Sequence, residues 1–497
     1  MTQHINTLII GAGISGIGTA VHLKNKSPNR DFLILERRDR MGGTWSFFKY
    51  PGIRSDSDMS TFGFAFKPWR EDKVLAQADE ICNYLEDTIS EFNLADKIKF
   101  NHSVKAANWN SDKQLWELQI ENNGTTEDWT ANFVVGCTGY YNYEQGFEPN
   151  FTDQKKFKGQ IVHPQKWPED LEFAGKKVVI IGSGATAITL VPAMAKLGAE
   201  VTMLQRTPTY IATVPSVDFV YSKLRKVLPE SVAYNLTRKR NIGLQRGIYA
   251  LSRSQPEIVK KLLLAGVKHQ LKGKVDMKHF TPPYNPWDQR LCVVPDGDLF
   301  KTLREGKAFI ETDHIEKFVA NGVQLKSGKI LEADIVVSAT GLEIQLLGGI
   351  KATIDQKPIE TSEHLMYHGA MISDVPNFAL IIGYTNASWT LKVDIIADYL
   401  TRLLNHMDKN NYAVVIPQGD ASAKSDETMM GGLASGYVQR AAHLIPRQGL
   451  KAPWALRASY YEDRDALSKA NFNDGILSFA KKGKKLEKPK KKFKIFG

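Results

Sequence analysis

The 497-residue sequence predicts an α/β protein built on two parallel sheets. Three observations carry that expectation. Short apolar runs alternate with helical stretches through the first two-thirds of the chain. A strand, a glycine turn and a helical run occur together twice, as NTLIIGAGISG at Asn6–Gly16 and as KVVIIGSGATA at Lys177–Ala187. Each is followed by a later β-branched strand ending in small residues, FVVGCTG at Phe133–Gly139 and IVVSATG at Ile335–Gly341. Two such units are two domain starts, not a short-period repeat.

In the first unit, Gly11, Gly13 and Gly16 stand where a G-x-G-x-x-G turn needs them. The first permits the tight turn, the second lets backbone approach a pyrophosphate, and the third lets the helix pack closely on the sheet. The next strand, FLIL at Phe32–Leu35, ends in Glu36, twenty residues past Gly16, where a carboxylate accepts from both hydroxyls of an adenine ribose. The second unit has Gly182, Gly184 and Ala187, and its next strand, VTML at Val201–Leu204, ends in Gln205-Arg206-Thr207. An acid would repel a 2′-phosphate, whereas a guanidinium pairs with it, so this site favours NADPH over NADH. Two Rossmann-like dinucleotide-binding domains, only one with the 2′-phosphate signature, are the layout of a flavoprotein using FAD and NADPH.

The domains expected are 1–150 for the first part of the FAD-binding domain and 151–345 for the NADPH-binding domain. Residues 346–480 return to a discontinuous FAD domain, with the strand FALII at Phe378–Ile382 before a long helix at about Leu391–Met407. Between Tyr210 and Phe280 the alternation gives way to Leu-, Lys- and Arg-rich helical sequence, read as a helical insert in the NADPH domain. Residues 481–497 form a basic flexible tail with nine lysines and one glutamate. The net charge of +11 falls to +3 without it, so the basic balance of the whole chain does not argue for nucleic-acid binding. Cys82, Cys137 and Cys292 include no close pair, which fits a reducing, cytoplasmic setting and excludes a C-x-x-C site. No signal peptide is evident, and the apolar run Ile5–Leu23 is too glycine-rich for a membrane span.

Three further stretches resemble a known family. MGGTW at Met41–Trp45 is followed by YPGIRSDS at Tyr50–Ser57, and FKGQIVHPQKWP at Phe157–Pro168 fills the pattern F-x-G-x-x-x-H-x-x-x-W-P. These resemble the class B flavin monooxygenases of the Baeyer–Villiger type over nearly the whole chain before the tail. YNPWDQRLCVVPDGDLF at Tyr284–Phe300 and GYTNASWTLK at Gly383–Lys392 are most similar to the ethionamide-activating monooxygenase branch. The resemblance implies that Ser15, Glu36, Thr44, Trp45, Ser46, Phe47 and Asp56 line the FAD site and that Val104 meets the adenine through its backbone. It places Ser183, Gly184, Ala185, Thr186, Ala187, Ile188 and Thr189 on the NADPH pyrophosphate, with Arg206 and Thr207 on the 2′-phosphate. Arg54, Ser55 and Asp56 fall where flavin and nicotinamide meet, and Arg290 takes the place of the active-site arginine, with Asp56 as its partner. The family's lysine before that arginine is Gln289 here, which removes part of the 2′-phosphate grip. The implied reaction is insertion of one oxygen of O₂ into ketones through a C4a-peroxyflavin, with oxygenation of sulfur-containing substrates. His163 and Trp167 of the fingerprint are read as structural.

Other readings stay open. An N- or S-oxygenating monooxygenase with little ketone activity fits the same layout, and so does an FAD/NADPH reductase serving a protein partner. A disulfide reductase lacks its dithiol. His163, His314 and His368 lack metal-ligand spacing. GAGISG at Gly11–Gly16 is one residue too long for a nucleophile elbow. The tail is a solvated charge run or, through its lysines with Leu486, Phe493, Ile495 and Phe496, a peripheral contact with an anionic membrane.

Overall fold

The computed structural model describes residues 2–486. The first sheet grows from Gln3–Ile10, which pairs in parallel with Phe32–Leu35 on one side and with Thr125–Gly136 on the other. Thr125–Gly136 also closes an antiparallel meander with His102–Asn110 and Leu115–Asn122. Late in the chain Lys351–Ile354 pairs with His102–Asn110, and Phe378–Leu380 with the end of Thr125–Gly136, so this half is discontinuous. The helix Ile14–Lys26 is buried at every residue from Ile14 to Leu23. It lies between the sheet and the long helix Trp389–Asn410, which explains why its sequence is apolar and small all round. Ile17, Val21 and Leu23 are fully buried there, each contributing ~1.5–3 kcal/mol.

The second sheet is wholly parallel, in the order Ala308–Thr312, Glu200–Gln205, Lys177–Ile181, Ile335–Ser338, Gln160–Val162. Its central strands KVVII and IVVS are buried runs, as a parallel sheet covered on both faces demands. Two crossings join the halves, Tyr141–Gly146 outward and Leu342–Ile344 back, and they pair antiparallel with Leu342 opposite Gly146. His163 of the fingerprint packs on this pair. Its ring would lie 2.1 Å from a Cβ at Gly146, its Nε2 is 3.3 Å from the Gly341 carbonyl, and its Nδ1 accepts from the Gln165 N–H. Burial pushes its pKa down. Trp167 packs edge-on to Phe173.

The insert contains helices Phe219–Leu224, Glu230–Ser254 and Pro256–Leu271. Although it interrupts the second half in sequence, Glu230–Ser254 docks on the first. Tyr234 donates to the Phe64 carbonyl (3.1 Å), and buried Arg238 donates to the carbonyls of Ser60 and Gly63 and pairs with Asp394 at 3.3 Å. The expected start of the basic tail is corrected at its first residues. Lys481 ends the strand Leu477–Lys481 opposite Tyr412, and the Gly483 N–H donates to Gln114 Oε1 (2.7 Å). Residues 487–497 lie outside the described residues.

Candidate active site

Each glycine turn leaves its sheet between two strands reached by opposite connections, the place where a crevice opens at the strand ends. At Gly11 (φ +108°) a Cβ would sit 2.6 Å from the Cys137 carbonyl oxygen, and at Gly182 (φ +139°) 2.3 Å from that of Ala339. A Cβ on Gly16 would lie 1.9 Å from the Gly11 oxygen, so the third glycine lets the helix start close against the turn. Ala187 fills the matching position of the second unit and is buried. The helices Ile14–Lys26 and Ala185–Lys196 begin at Gly13 and Gly184 with no side-chain cap and no acid in the first turn. Their leading N–H groups are therefore free to meet an anion, which is the fit a dinucleotide pyrophosphate requires.

One cleft runs from the first turn to the second half and is lined by Gly11, Gly13, Ser15, Glu36, Thr44, Trp45, Arg54, Asp56, Val104, Ala185, Thr186 and Arg290. The structure thus brings together residues read from both nucleotide units and from the segment before Phe300. Glu36 is buried, which raises its pKa, while the N–H groups of Ala12 (2.8 Å) and Arg38 (3.0 Å) hold its two oxygens in place. Val104 stands at a register shift in its strand pair, where the backbone ladder is interrupted. Ser46 and Phe47 stand behind the cleft wall, where Ser46 accepts from Arg38 and Phe47 stacks on Tyr143 at 4.0 Å. Ser55 is buried and bonds to Ser57, and Arg54 pairs with Asp298 at 2.6 Å.

Around the second turn, Gly184 and Arg206 are exposed while Ala187, Ile188, Thr189 and Gln205 are buried. Ser183 Oγ donates to the Thr207 carbonyl (2.9 Å), which ties the turn to the following strand end. Gly184 has nothing within 4 Å of a would-be Cβ, so backbone there is approachable. Arg206 is exposed and has no ion-pair partner among the described residues. The side chains of Ala187 and Ile188 face the core, and the Ile188 N–H closes on the Gly184 carbonyl, so Ile188 supports the turn without offering a donor. Thr189 is also buried. Gln205, read as a missing acid, is buried and donates to the His279 carbonyl (2.6 Å) and to Thr312 Oγ1 (2.9 Å).

Arg290 is the charged centre of the cleft. Its guanidinium lies 3.0 Å from Asp56, and that carboxylate raises its pKa well above the ordinary arginine value. Sequence reasoning missed the side chains around it. Tyr437 stands close enough to interact electrostatically with Arg290, and burial raises its hydroxyl's pKa. Tyr140 and Tyr141 join hydroxyls at 3.0 Å beside it. Trp389 Nε1 donates to Ser15 Oγ (2.8 Å), and Tyr384 walls the cleft while donating to Asp463 (2.6 Å). Of these, only Trp389 and Tyr384 fall in a motif noted from sequence, GYTNASWTLK, and neither had been given a role. Cys137 and Cys292 are buried, and burial pushes both thiols up to about 12, so neither supplies a redox thiol.

Residues 5–341 match a family described as flavin-binding monooxygenase-like. The chain belongs to this family. A probable FAD-binding monooxygenase, AlmA, from Acinetobacter sp is 64% identical to this monooxygenase, with 99% of each chain covered. The FAD-containing monooxygenase EthA of Mycobacterium tuberculosis is 44% identical over 97% of this chain and 99% of that one. Among solved structures, cyclohexanone monooxygenase with ε-caprolactone bound superposes with a TM-score of 0.76 at 18% identity, covering 96% of this chain and all of that one. A steroid monooxygenase bound to NADP gives the same TM-score and identity. The resemblance to the ethionamide-activating branch holds, although the AlmA relative is more similar.

Proposed function

We propose that this monooxygenase is an FAD-containing, NADPH-dependent Baeyer–Villiger enzyme that inserts one oxygen of O₂ beside the carbonyl of a small-molecule ketone and also oxygenates sulfur. The observation that carries the reading is the Arg290–Asp56 pair, set in a cleft where residues of both glycine-turn helices meet. The uncapped turn at Gly13, the carboxylate of Glu36 and the wall of Thr44 and Trp45 fit FAD. Ser183, the open Gly184, Thr207 and exposed Arg206 fit NADPH. Held by these residues, FAD would supply hydride acceptance from NADPH and activation of O₂.

The protein's own residues position and stabilise. When a nucleophile adds to a ketone, the carbonyl oxygen gains negative charge, and Arg290 supplies a fixed positive group for it. Asp56 holds the guanidinium in place, so it need not reorganise as charge develops. Trp389 fixes Ser15 at the helix start, and the buried aromatic wall excludes water. A reductase would have no use for this arginine.

The test is product analysis on a panel of ketones and sulfides with NADPH under ¹⁸O₂. Esters or lactones carrying one labelled oxygen are expected. Labelled sulfoxides without esters would favour the N- or S-oxygenating reading, and dye reduction without any oxygenated product would favour a reductase.

A further inference from the structure

The insert carries an outer face that neither the fold nor the cleft uses. Among the described residues, seventeen large apolar side chains stand exposed, and eleven of them fall between Val217 and Leu262. Single exposed apolar residues are ordinary, but a concentration in one segment marks an interaction surface. On the helix Glu230–Ser254 they form a stripe at helical spacing, Val232, Leu236, Leu244, Ile248 and Leu251, each 41–56% exposed. The packed helix that follows adds Ile258 and Leu262. The inner face is already engaged: Tyr234 and Arg238 bond into the first half, and Asn241 and Gln245 both donate to Asp58. The stripe is therefore held outward on a rigidly docked helix.

The charge of the same segment is distinctive. Residues 217–275 contain thirteen Lys and Arg against three Asp and Glu, while the chain outside this segment and the tail has a net charge of −7. Lys239, Arg246, Lys261 and Lys268 are exposed and lack an acidic partner among the described residues. Apolar side chains beside unpaired cations on a helix surface are what an anionic lipid–water interface receives: the apolar groups enter the headgroup boundary and the cations meet phosphate. A two-fold interface with a second copy would set this positive surface against itself. A nucleic acid would leave the leucines and isoleucines without a role. No described helix is long and apolar enough to cross a membrane.

We infer that the outer face of the insert docks this monooxygenase on the surface of an anionic phospholipid bilayer. The experiment is flotation of the full-length, flavin-loaded protein with vesicles of phosphatidylcholine containing roughly one-third phosphatidylglycerol, and with phosphatidylcholine alone. Wild-type protein is expected to float with the anionic vesicles and to be released by high salt. Leu244→Gln/Ile248→Gln/Leu251→Gln is expected to weaken binding at least about tenfold at unchanged flavin content and NADPH oxidation. Lys261→Glu/Lys268→Glu, which spares the apolar stripe, guards against misfolding of the first variant and is expected to weaken binding to anionic vesicles only. Equal flotation of wild type and both variants would overturn the inference and assign any binding to the lysine-rich tail. So would a wild-type protein that stays unbound, including one whose apolar variant merely shifts from dimer to monomer.

Discussion

In the first half, the glycine-turn helix is buried from Ile14 to Leu23 and Glu36, at the next strand end, is 6% exposed. In the second half, Gly184 and Ala185 face solvent and the corresponding strand end presents an exposed arginine, Arg206. The turns use the same device, a glycine whose missing Cβ lets backbone press against the neighbouring strand end. They differ in what covers them. The helix Trp389–Asn410 returns from late in the chain to pack along the first turn's helix, whereas the second turn's helix packs on the short helix Asp298–Arg304 and leaves Gly184 and Ala185 exposed. A sealed turn suits a resident group, and an open one suits a group that enters and leaves each cycle.

The largest effect that separates the two turns is steric. Gly16→Ala drives a methyl into the Gly11 carbonyl and is expected to yield flavin-free or insoluble protein, whereas Gly184→Ala, with open space around it, is expected to retain full flavin content. Flavin absorbance per protein in the two purified variants measures this directly. Next comes Arg290→Ala, which keeps both turns intact. Flavin is retained while ketone oxygenation falls ~10²–10³-fold, with NADPH oxidation diverted to hydrogen peroxide. Near-normal ester formation would remove Arg290 from the chemistry.

Arg206→Ala addresses the second turn alone. Because the guanidinium is exposed and screened, the expected rise in KM for NADPH is about tenfold, with KM for NADH and flavin content unchanged. The smallest effect concerns acid. His368 packs on Tyr367 and Tyr399 in the first half, and burial pushes its pKa down to about 4. The unfolded chain then binds more protons than the folded one between about pH 6.5 and 4, so stability falls as pH drops through that window, by on the order of 2–3 kcal/mol. His368→Asn, which tolerates the left-handed backbone at this position, is expected to flatten the dependence of flavin-release temperature on pH.

Much of this was legible in sequence because local motifs carry it. The two glycine turns, Glu36 against Arg206 and the fingerprint at Phe157–Pro168 are short strings, whereas the pairing of Asp56 with Arg290, 3.0 Å apart, was implied only by the family resemblance. What was hidden depends on contacts between distant segments. Trp389 lies in a string noted from sequence, but that it reaches the cleft, and that Tyr437 lies near Arg290, depends on the chain's return to the first half. Gln205 read as the absence of an acid, yet it is a buried amide that pins the strand end to Thr312 and His279. The insert's amphipathic pattern announced helices without saying that Arg238 would anchor them to Asp394 in the other half. Lys481 looked like the start of a charge run and is instead the last rung of a strand, because SFA before it completes an apolar edge.

The crossings Tyr141–Gly146 and Leu342–Ile344 have a consequence for how the chain assembles. The first sheet needs Phe378–Leu380 beside Thr125–Gly136, a pairing that spans the whole second half. An unfolded segment of that length imposes a loop-closure penalty on every such contact. Once residues 147–341 collapse into their own sheet, their two ends emerge side by side, with Leu342 already opposite Gly146. The long loop then behaves as a short one, and the late strand is delivered to the edge awaiting it. Nesting one half inside the other thus exchanges a long loop for a short one wherever the nested half is folded, which lowers the loop-closure cost of completing the first sheet.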